Sequence, residues 1–598
     1  MSTAVGVAPR NYEALQFPYR KAPDHDAAAL LRYPVVVVGA GPVGLALAID
    51  LAQQGVPVLL LDDDDRLSSG SRAICFAKRT LEIFDRLGCA APMVEKGVSW
   101  SVGRVYFHDA QIYSFNLLPE AGHERPAFIN LQQYYVEGYL VDRAAQLPNI
   151  EMRWKSAVSS VAARADHVRL TVDTPDGPYA IEAGYVAACD GPKSALRGLM
   201  GLQALGRTFR DRFLIADILM DAPDFPTERR FWFDPSFHPG QSVLLHKQAD
   251  GLWRTDFQLG WEADPQRERQ PEHIRPRVRA LLDSIGAPQI QFEIVWASVY
   301  TFACQRLERF RHGRVIFAGD SAHGVSPFGA RGANSGVQDA ENLAWKLVAV
   351  LHGRAGDELL DSYGPEREYA ADENIAHSTR ATDFITPKSE VSRLFRDAAL
   401  DLAKTHLFAR SFVNSGRLSV PATLRESPLN TPDDAAFAGL MLPGAAAADA
   451  PVEVDGEAGW LLRQLHGSAF TALLFGADDL SATVRELHEV VQHLSSRRTP
   501  GSSAPGTEWI PACAGMTVPD ARVPFQVLIV APRGACAKIE GARTLVDVQG
   551  LLTQRYDGRE GTLYLLRPDQ HVCARWRSSR AEPLHQALRR ALALPALN

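Results

Sequence analysis

Glycine and aspartate recur in three separated segments with spacings that suit the binding of a dinucleotide. The first segment is Gly39-Ala-Gly41-Pro42-Val-Gly44, and it follows a run of four valines. Between a strand and a helix, Gly39 permits a tight turn, Gly41 lets the backbone approach a pyrophosphate, and Gly44 allows close helix packing. Asp62, 18 residues beyond Gly44, is placed to accept hydrogen bonds from a ribose diol. The glycine triplet alone is a weak signal, and its setting strengthens it.

The second and third segments each follow an apolar stretch that has the composition of a buried strand. Asp190-Gly191 follows residues 185–188, and Gly319-Asp320 follows residues 315–318. A single Asp-Gly after a strand is usually only a turn. The Asp320 carboxylate, however, is placed to bind a polyol hydroxyl, and the glycine-rich stretch after it precedes a helix whose first N–H groups favour an anion.

The elements needed to position these residues can be read from local patterns. Val35–Val38 suits a central strand of a parallel sheet, a helix is predicted from about residue 43 to 54, and Val58–Leu61 supplies the next strand. Residues 205–299 instead alternate polar and apolar positions, which is typical of half-buried antiparallel strands. The predicted fold class is therefore α/β, with a Rossmann-like dinucleotide-binding domain interrupted by an antiparallel-sheet substrate domain.

After about residue 435 the chain changes character, with Ala- and Pro-rich linkers and then new strand candidates at residues 470–475, 525–531 and 562–566. A stretch rich in Ser, Pro, Gly and Thr interrupts this region and has a loop composition. The predicted organisation is an N-terminal extension at 1–33, the nucleotide-binding domain at 34–204 and 300–395, the substrate domain at 205–299, a helical linker at 396–434, and a separate α/β domain at 435–598 with a loop insertion near 495–518.

Composition limits the classes of partner. The 598 residues are 46% hydrophobic and 22% charged, with a formal net charge of -7. These values indicate a multidomain globular protein without the basic surface that nucleic acid requires. No apolar stretch suits a membrane span. The first 32 residues lack a signal-peptide pattern, and seven dispersed cysteines without a Cys-x-x-Cys pair fit a reducing cytoplasm rather than a disulfide framework or a zinc site.

Taken together, the three segments resemble the FAD-dependent monooxygenases of the p-hydroxybenzoate hydroxylase and phenol hydroxylase type, from about residue 34 to 381. Within that family the similarity is greatest to 3-(3-hydroxyphenyl)propionate hydroxylase-like proteins. The resemblance implies FAD as cofactor, NADH or NADPH as co-substrate, and O2-dependent hydroxylation of an aromatic, phenolic small molecule through a flavin C4a-hydroperoxide. It leaves a homodimer open, and it implies that the C-terminal domain is thioredoxin-like.

The resemblance also assigns roles to individual residues. Gln133 matches a glutamine that touches the cofactor, and Arg72 matches an arginine that lies along it. Gly332, Ala333 and Asn334 match a segment whose backbone faces the flavin pyrimidine edge. The residues assigned to cofactor binding are Gly39, Gly41, Pro42, Gly44, Asp62, Arg72, Gln133, Asp190, Gly191, Gly319, Asp320, Gly332, Ala333 and Asn334.

Candidates for chemistry on the substrate are fewer. Pro327 matches a proline whose carbonyl lies near the reactive ring face. His323 is a candidate base, although a histidine at the start of a helix is more often a structural hydrogen-bond partner. Arg254 could bind a substrate carboxylate, although a solvated strand arginine is the commoner case. Phenol hydroxylases carry an aspartate where this chain has Ile74, so ring activation has to come from another residue.

Alternative functions stay open at this stage. A tailoring hydroxylase for polyketide or quinone substrates would use the same chemistry. A non-catalytic FAD protein that binds or senses would use the C-terminal domain as its effector. A flavin-dependent halogenase would need a Trp-x-Trp-x-Ile-Pro element, whereas the Trp-Ile-Pro at 509–511 lacks the first tryptophan. The sequence predicts no metal site.

Overall fold

A computed structural model describes residues 15–68, 72–222, 225–413, 418–476, 480–495, 522–534 and 539–595. The predicted loop insertion, including its Trp-Ile-Pro, lies outside these residues except at its first position, Ser495, which ends a helix.

The described part of the chain forms strands of two to twelve residues. In chain order these strands are β1 (Arg32–Val38), β2 (Val58–Leu61), β3 (Cys75–Ala77), β4 (Val98–Trp100), β5 (Val102–Phe107), β6 (Ala110–Asn116), β7 (Phe128–Asn130), β8 (Ile150–Arg153), β9 (Ala157–Ala163), β10 (Val168–Thr174), β11 (Gly177–Ala188), β12 (Ala204–Thr208), β13 (Arg212–Met220), β14 (Arg229–Phe233), β15 (Ser242–Lys247), β16 (Leu252–Leu259), β17 (Phe292–Tyr300), β18 (Ala303–Leu307), β19 (Arg311–His312), β20 (Val315–Phe317), β21 (His323–Gly324), β22 (Pro451–Val454), β23 (Glu457–Trp460), β24 (Phe470–Phe475), β25 (Phe525–Pro532), β26 (Ala542–Asp547), β27 (Leu563–Leu566) and β28 (Val572–Trp576).

The α-helices connect and cover these strands. They are α1 (Pro42–Gln53), α2 (Lys78–Leu87), α3 (Ala90–Lys96), α4 (Gln133–Ala144), α5 (Ala195–Leu199), α6 (Pro265–Glu268), α7 (Pro271–Ser284), α8 (Gly332–Leu351), α9 (Tyr363–Ile385), α10 (Glu390–Ala403), α11 (Leu407–Val413), α12 (Ser481–Ser495), α13 (Leu551–Arg555) and α14 (Ala581–Ala591). No helix among the described residues is long and apolar enough to cross a membrane.

The first sheet has eight strands, with the path β19-β20-β11-β1-β2-β8 and with β10 and β9 added beside β11. Strands β20, β11, β1, β2 and β8 run parallel to one another. The valines of β1 and the leucines of β2 are fully buried between the helices on the two faces, as expected for a central parallel strand. The predicted α/β class is confirmed.

The second sheet has the order β17-β13-β16-β15-β14-β5-β6. Its apolar face packs against α7 in one cluster that includes Trp253, Phe257 and Leu281. The structure differs here from the prediction of an antiparallel sheet within 205–299. The hairpin of β5 and β6 joins from an earlier part of the chain, and β14 pairs with β5 in parallel. Pairing with this hairpin covers the edge of β14, which would otherwise be exposed.

The third sheet, with the order β23-β22-β26-β25-β24-β27-β28, belongs to the C-terminal region. Its centre is parallel and its flanks are antiparallel. Helices α12 and α14 pack on one face through Leu487, Leu584 and Leu588. Trp345 and Leu359 of the first domain belong to the same cluster, so this region is docked by a shared apolar core.

Candidate cofactor and substrate site

Four neighbouring parallel strands end at one edge of the first sheet, where the three glycine-aspartate segments begin. The order β20-β11-β1-β2 brings together Gly319, Asp190, Gly39 and Asp62, although these residues are far apart in the chain. Backbone hydrogen bonds continue past the strand ends. The Gly39 N–H donates to the Leu61 carbonyl at 2.7 Å. The carboxyl edge of a parallel sheet is where such folds bind ligands.

The three glycines of the first segment have different surroundings. Gly39 has φ +104°, and an added Cβ would lie 2.4 Å from the Cys189 carbonyl oxygen. A Cβ on Gly44 would lie 1.9 Å from the Gly39 carbonyl oxygen, so α1 can approach the turn only without a side chain there. A Cβ on Gly41 would meet no atom within 4 Å, and α1 begins at Pro42. The turn is closed on one side and open on the side where a pyrophosphate would lie.

Asp62 is held against this turn. Its Oδ2 accepts a hydrogen bond from the Ala40 N–H at 2.6 Å, and its Oδ1 accepts one from the Asp64 N–H at 2.9 Å. Burial raises the pKa of Asp62 to about 6, although both backbone donors oppose the rise. The carboxylate therefore orders the glycine turn while standing at the end of β2.

Asp190 accepts a hydrogen bond from the first turn of α5. Its Oδ2 accepts from the Leu196 N–H at 3.0 Å, while its Oδ1 is buried without a hydrogen-bond partner among the described residues. Burial raises the pKa of Asp190. The adjacent Gly191 has φ +73°, and a Cβ there would meet no atom within 4 Å. An unpartnered buried carboxylate oxygen beside open space is the condition that a polar ligand would relieve.

Asp320 faces the first turn of α8. A Cβ added to Gly332 would lie 3.8 Å from its Oδ1, so the carboxylate and the helix start share one space. Asp320 is exposed at the cleft, but the protein around it partly removes the carboxylate from water, which raises its pKa. The charges of His323 and Arg72 oppose this rise. The preceding Gly319 has φ +65° and packs against Val43 of α1.

His323 lies behind this turn rather than in the cleft. It is 2% exposed, and its Nε2 lies 2.7 Å from Asp339 Oδ2. Asp339 also accepts from the Gly319 N–H at 2.9 Å and from Arg367 Nε at 2.6 Å. Burial would raise the pKa of Asp339, but His323 and Arg367 lower it. This arrangement supports the structural alternative for His323 over the catalytic one.

The start of α8 has no side-chain cap from the described residues, which leaves its first N–H groups available to an anion. Ala333 packs on the first-domain core, and Asn334 is buried. The Asn334 Oδ1 accepts from the Ala77 N–H at 2.8 Å, and its Nδ2 donates to the Cys75 carbonyl at 2.9 Å. Asn334 therefore fixes β3 against the helix start, a role that the sequence did not reveal.

Three other predicted residues lie around the same cleft. Gln133 begins α4, where its Oε1 accepts from the Ala73 N–H at 3.0 Å and its Nε2 donates to Glu137 at 2.7 Å. These bonds hold the backbone that carries Arg72, an exposed residue whose charge acts on Asp320. Pro327 is exposed in a short 3-10 turn, and its carbonyl accepts from the Ala330 N–H at 3.0 Å.

Arg254 is neither solvated nor open to solvent. It is 4% exposed on β16, where its Nε and Nη2 donate to the two carboxylate oxygens of Asp217 at 2.9 and 3.2 Å. Its Nη1 donates to the Arg72 carbonyl at 3.1 Å. The prediction of a solvated strand arginine is wrong. The polar side chains of β16 lie on a face of the sheet that is covered by the first domain, so Arg254 meets protein rather than water. Arg254 ties the two domains together.

The structure adds residues that the sequence argument missed. Arg229, His246 and Asp256 are buried on the sheet face that looks toward the first domain, and each has a polar atom without a partner among the described residues. Tyr300, at the end of β17, lies on the same face. The signal was present in the alternation of β16, where positions 254, 256 and 258 are all polar, but nothing in the sequence shows which face meets the cleft.

Comparison with known proteins decides the family. The FAD binding domain family matches residues 32–378, which is more than half of the chain and contains every residue of the site described in this subsection. The chain belongs to the FAD binding domain family. FAD is its cofactor, and the open space beside Gly41 and Gly191, the unpartnered Asp190 Oδ1 and the uncapped start of α8 fit a molecule with a pyrophosphate, a polyol and an anionic ring.

Relatives within the family act on hydroxylated rings. The chain is 32% identical over 363 residues to a 3-(3-hydroxy-phenyl)propionate/3-hydroxycinnamic acid hydroxylase of Mycolicibacterium smegmatis (strain ATCC 700084 / mc(2)155), which covers 61% of this chain and 63% of that protein. It is 32% identical over 343 residues to a probable NADH-specific resorcinol 4-hydroxylase of Rhodococcus jostii (strain RHA1), covering 56% and 62%. The matches thus span less than two thirds of these relatives.

The fold of a solved structure is similar over nearly the whole chain, including the C-terminal region. The flavin-dependent monooxygenase PieE, crystallised with FAD and substrate, superposes with a TM-score of 0.77 at 22% identity, covering 94% of this chain and all of that one. The C-terminal region is therefore part of an architecture that other proteins of this fold share.

Proposed function

We propose that the protein is an FAD-dependent monooxygenase that hydroxylates a phenolic small molecule with NADH or NADPH and O2. The observation that carries this proposal is the position of the second sheet. Its inner face, which looks toward the first domain, places Arg229, Arg254 and Asp256 near Cys75. The Cys75 carbonyl accepts a hydrogen bond from Asn334 in the first turn of α8. A flavoprotein that only bound or sensed its cofactor would not need polar groups buried at that place.

Each part of the chain has a defined task in this function. Bound FAD supplies hydride acceptance and the activation of O2. The start of α8 stabilises negative charge at the pyrimidine edge of the ring, because its N–H groups carry the positive end of the helix dipole. Gly39, Gly41 and Asp62 would hold the adenosine end of FAD, and Asp320 would bind its polyol.

The second sheet excludes water from the reacting ring. Phe213, Phe328 and Phe302 form an aromatic cluster between that sheet and the turn that contains Pro327, with centroids 4.7 to 6.1 Å apart. A dry pocket favours transfer of oxygen to the substrate over loss of peroxide.

The relatives support the substrate class, since one is named for resorcinol and another for a hydroxyphenyl acid. The test uses purified, FAD-loaded protein with NADH or NADPH and either resorcinol or 3-(3-hydroxyphenyl)propionate. We expect faster nicotinamide oxidation, matching O2 uptake, and a product that carries one oxygen atom from labelled O2. 3-Phenylpropionate, which lacks the hydroxyl, is the matched control. Oxidation that yields only peroxide with every phenol tested would contradict the proposal.

For the C-terminal domain we propose a thioredoxin-like fold with a packing role. Dithiol exchange is not supported, since the sequence contains no Cys-x-x-Cys. Besides the shared apolar core, its contacts with the first domain include buried charged groups. Arg567 donates to Asp569 and to Glu366 of α9, and Arg79 of α2 donates to Gln570 at 2.9 Å.

A further inference from the structure

On the inner face of the second sheet, residues form rows across the four strands β14, β15, β16 and β13. Arg230 pairs with Leu245, so Arg229 lies beside His246 one step along the register. His246 pairs with Arg254, and Arg254 pairs with Asp217. This polar row is anchored at both ends of the cleft, because Arg254 Nη1 donates to the Arg72 carbonyl and Arg229 Nη2 donates to the Phe328 carbonyl at 3.3 Å.

The next row is apolar except for one carboxylate. Asp256 pairs with Leu244 on one side and with Ile215 on the other, and Phe231 follows Leu244 across β14. Leu244 and Phe231 belong to the aromatic cluster that reaches Phe328. A flat apolar floor with a single carboxylate at its centre suits an aromatic ring that carries a hydrogen-bond donor.

Asp256 is available for such a donor. It is 9% exposed, and its Oδ1 is buried without a hydrogen-bond partner in the part of the chain that the structure describes. A buried carboxylate oxygen in this state is costly unless a ligand satisfies it. The Arg254 guanidinium one row away donates to both carboxylate oxygens of Asp217.

We propose that Asp256 accepts the hydrogen bond of the substrate's ring hydroxyl and takes up its proton. The carboxylate receives the proton while the O–H electron pair passes to the ring oxygen, which makes the ring carbons ortho and para to it more nucleophilic. The proton returns to that oxygen as the product forms. This inference deepens the proposed function, and it supplies the activating group that Ile74, buried beside Cys75, cannot provide.

The charges around Asp256 agree with this role. Burial raises its pKa to about 6, Arg254 and Arg229 oppose the rise, and Asp217 adds to it. The carboxylate is therefore ionised, and able to accept a proton, above about pH 6. The titratable or charged groups that face it from the surrounding strands are Cys75, Asp217, Arg229, His246, Arg254 and Tyr300.

The test compares phenol with its methyl ether, anisole, as ligands of the FAD-loaded protein. The dissociation constants are measured from the change in flavin absorbance, without turnover. An apolar pocket favours anisole, whereas a carboxylate acceptor favours phenol by about tenfold or more. We expect this preference for phenol in the wild type at pH 8, its loss in Asp256→Asn, and its retention in Thr255→Val, which alters the opposite face of the same strand.

The pH dependence provides a second measurement that needs no variant. The preference of the wild type for phenol should fall as the pH drops through about 6, because protonation of Asp256 removes the anionic acceptor. The assignment is overturned if Asp256→Asn keeps the preference, if the wild type shows none, or if the preference does not change between pH 5 and 8. An intact preference without phenol-stimulated nicotinamide oxidation would overturn the proposed function and leave the assignment of Asp256 standing.

Discussion

At the scale of single residues, two glycines of one turn have different physical reasons to be glycine. Gly44 lacks room for a side chain because of the protein's own backbone, whereas Gly41 has open space that only a ligand would fill. The same substitution at these positions should therefore separate folding from cofactor binding.

We predict that Gly44→Ala destabilises the apoprotein by about 1–3 kcal/mol, since its Cβ would overlap the Gly39 carbonyl. Gly41→Ala should leave the apoprotein's melting temperature unchanged and weaken FAD binding by about tenfold, because the methyl group occupies the space for the pyrophosphate. Thermal unfolding and fluorescence titration with FAD measure the two effects. Gly260→Ala, at an unhindered glycine away from the cleft, is the control. If the two substitutions change the melting temperature and the FAD affinity to the same extent, the separate roles of Gly41 and Gly44 are contradicted.

At the scale of elements, the start of α8 depends on one side chain. Asn334 bonds Ala77 N–H and Thr80 Oγ through its oxygen, and the Cys75 and Ala330 carbonyls through its nitrogen. We predict that Asn334→Ala costs about 2 kcal/mol or more in unfolding free energy, because it leaves buried groups unpaired. It should also shift the absorbance spectrum of bound FAD, since β3 and the helix start separate. Asn116→Ala, at an exposed asparagine that bonds the Leu118 N–H, should do neither.

The elements near the cofactor could be predicted because their signals are local. Four consecutive valines, a glycine turn and a helix within about thirty residues define β1, α1 and β2 without any distant partner. The partners of Arg254 and β14 could not be predicted in this way. Asp217 lies 37 residues from Arg254, and β5 lies more than a hundred residues before β14. The alternation of polar and apolar residues shows that a strand has two different faces. It does not show which distant part of the chain covers the polar face.

At the scale of the whole molecule, buried charges join the C-terminal domain to the first domain. Glu366 of α9 accepts from Lys346 Nζ at 2.7 Å, from Asn342 at 2.7 Å and from Arg567, and all of these side chains are buried. Burial would raise the pKa of Glu366, but Arg567 and Lys346 hold it well below its usual range. A buried cluster of paired charges contributes little to the free energy of unfolding while all its members are present. Removal of one member leaves an unpaired buried charge, which lowers that free energy strongly.

We therefore predict that Arg567→Met lowers the unfolding free energy by about 3–5 kcal/mol. Arg463→Met, which breaks an exposed pair with Glu124 between the same two domains, should cost less than about 1 kcal/mol. The pH dependence of the unfolding free energy provides a second test of the buried charges. Because its folded-state pKa is depressed, Glu366 contributes stability that is present above the unfolded pKa of about 4.3 and is lost as the pH falls below it. Urea unfolding between about pH 2 and 7 should show this acid-dependent loss in the wild type and a smaller one in Arg567→Met. If the exposed pair proves as costly to break as the buried one, docking of the C-terminal domain does not depend on the buried charges.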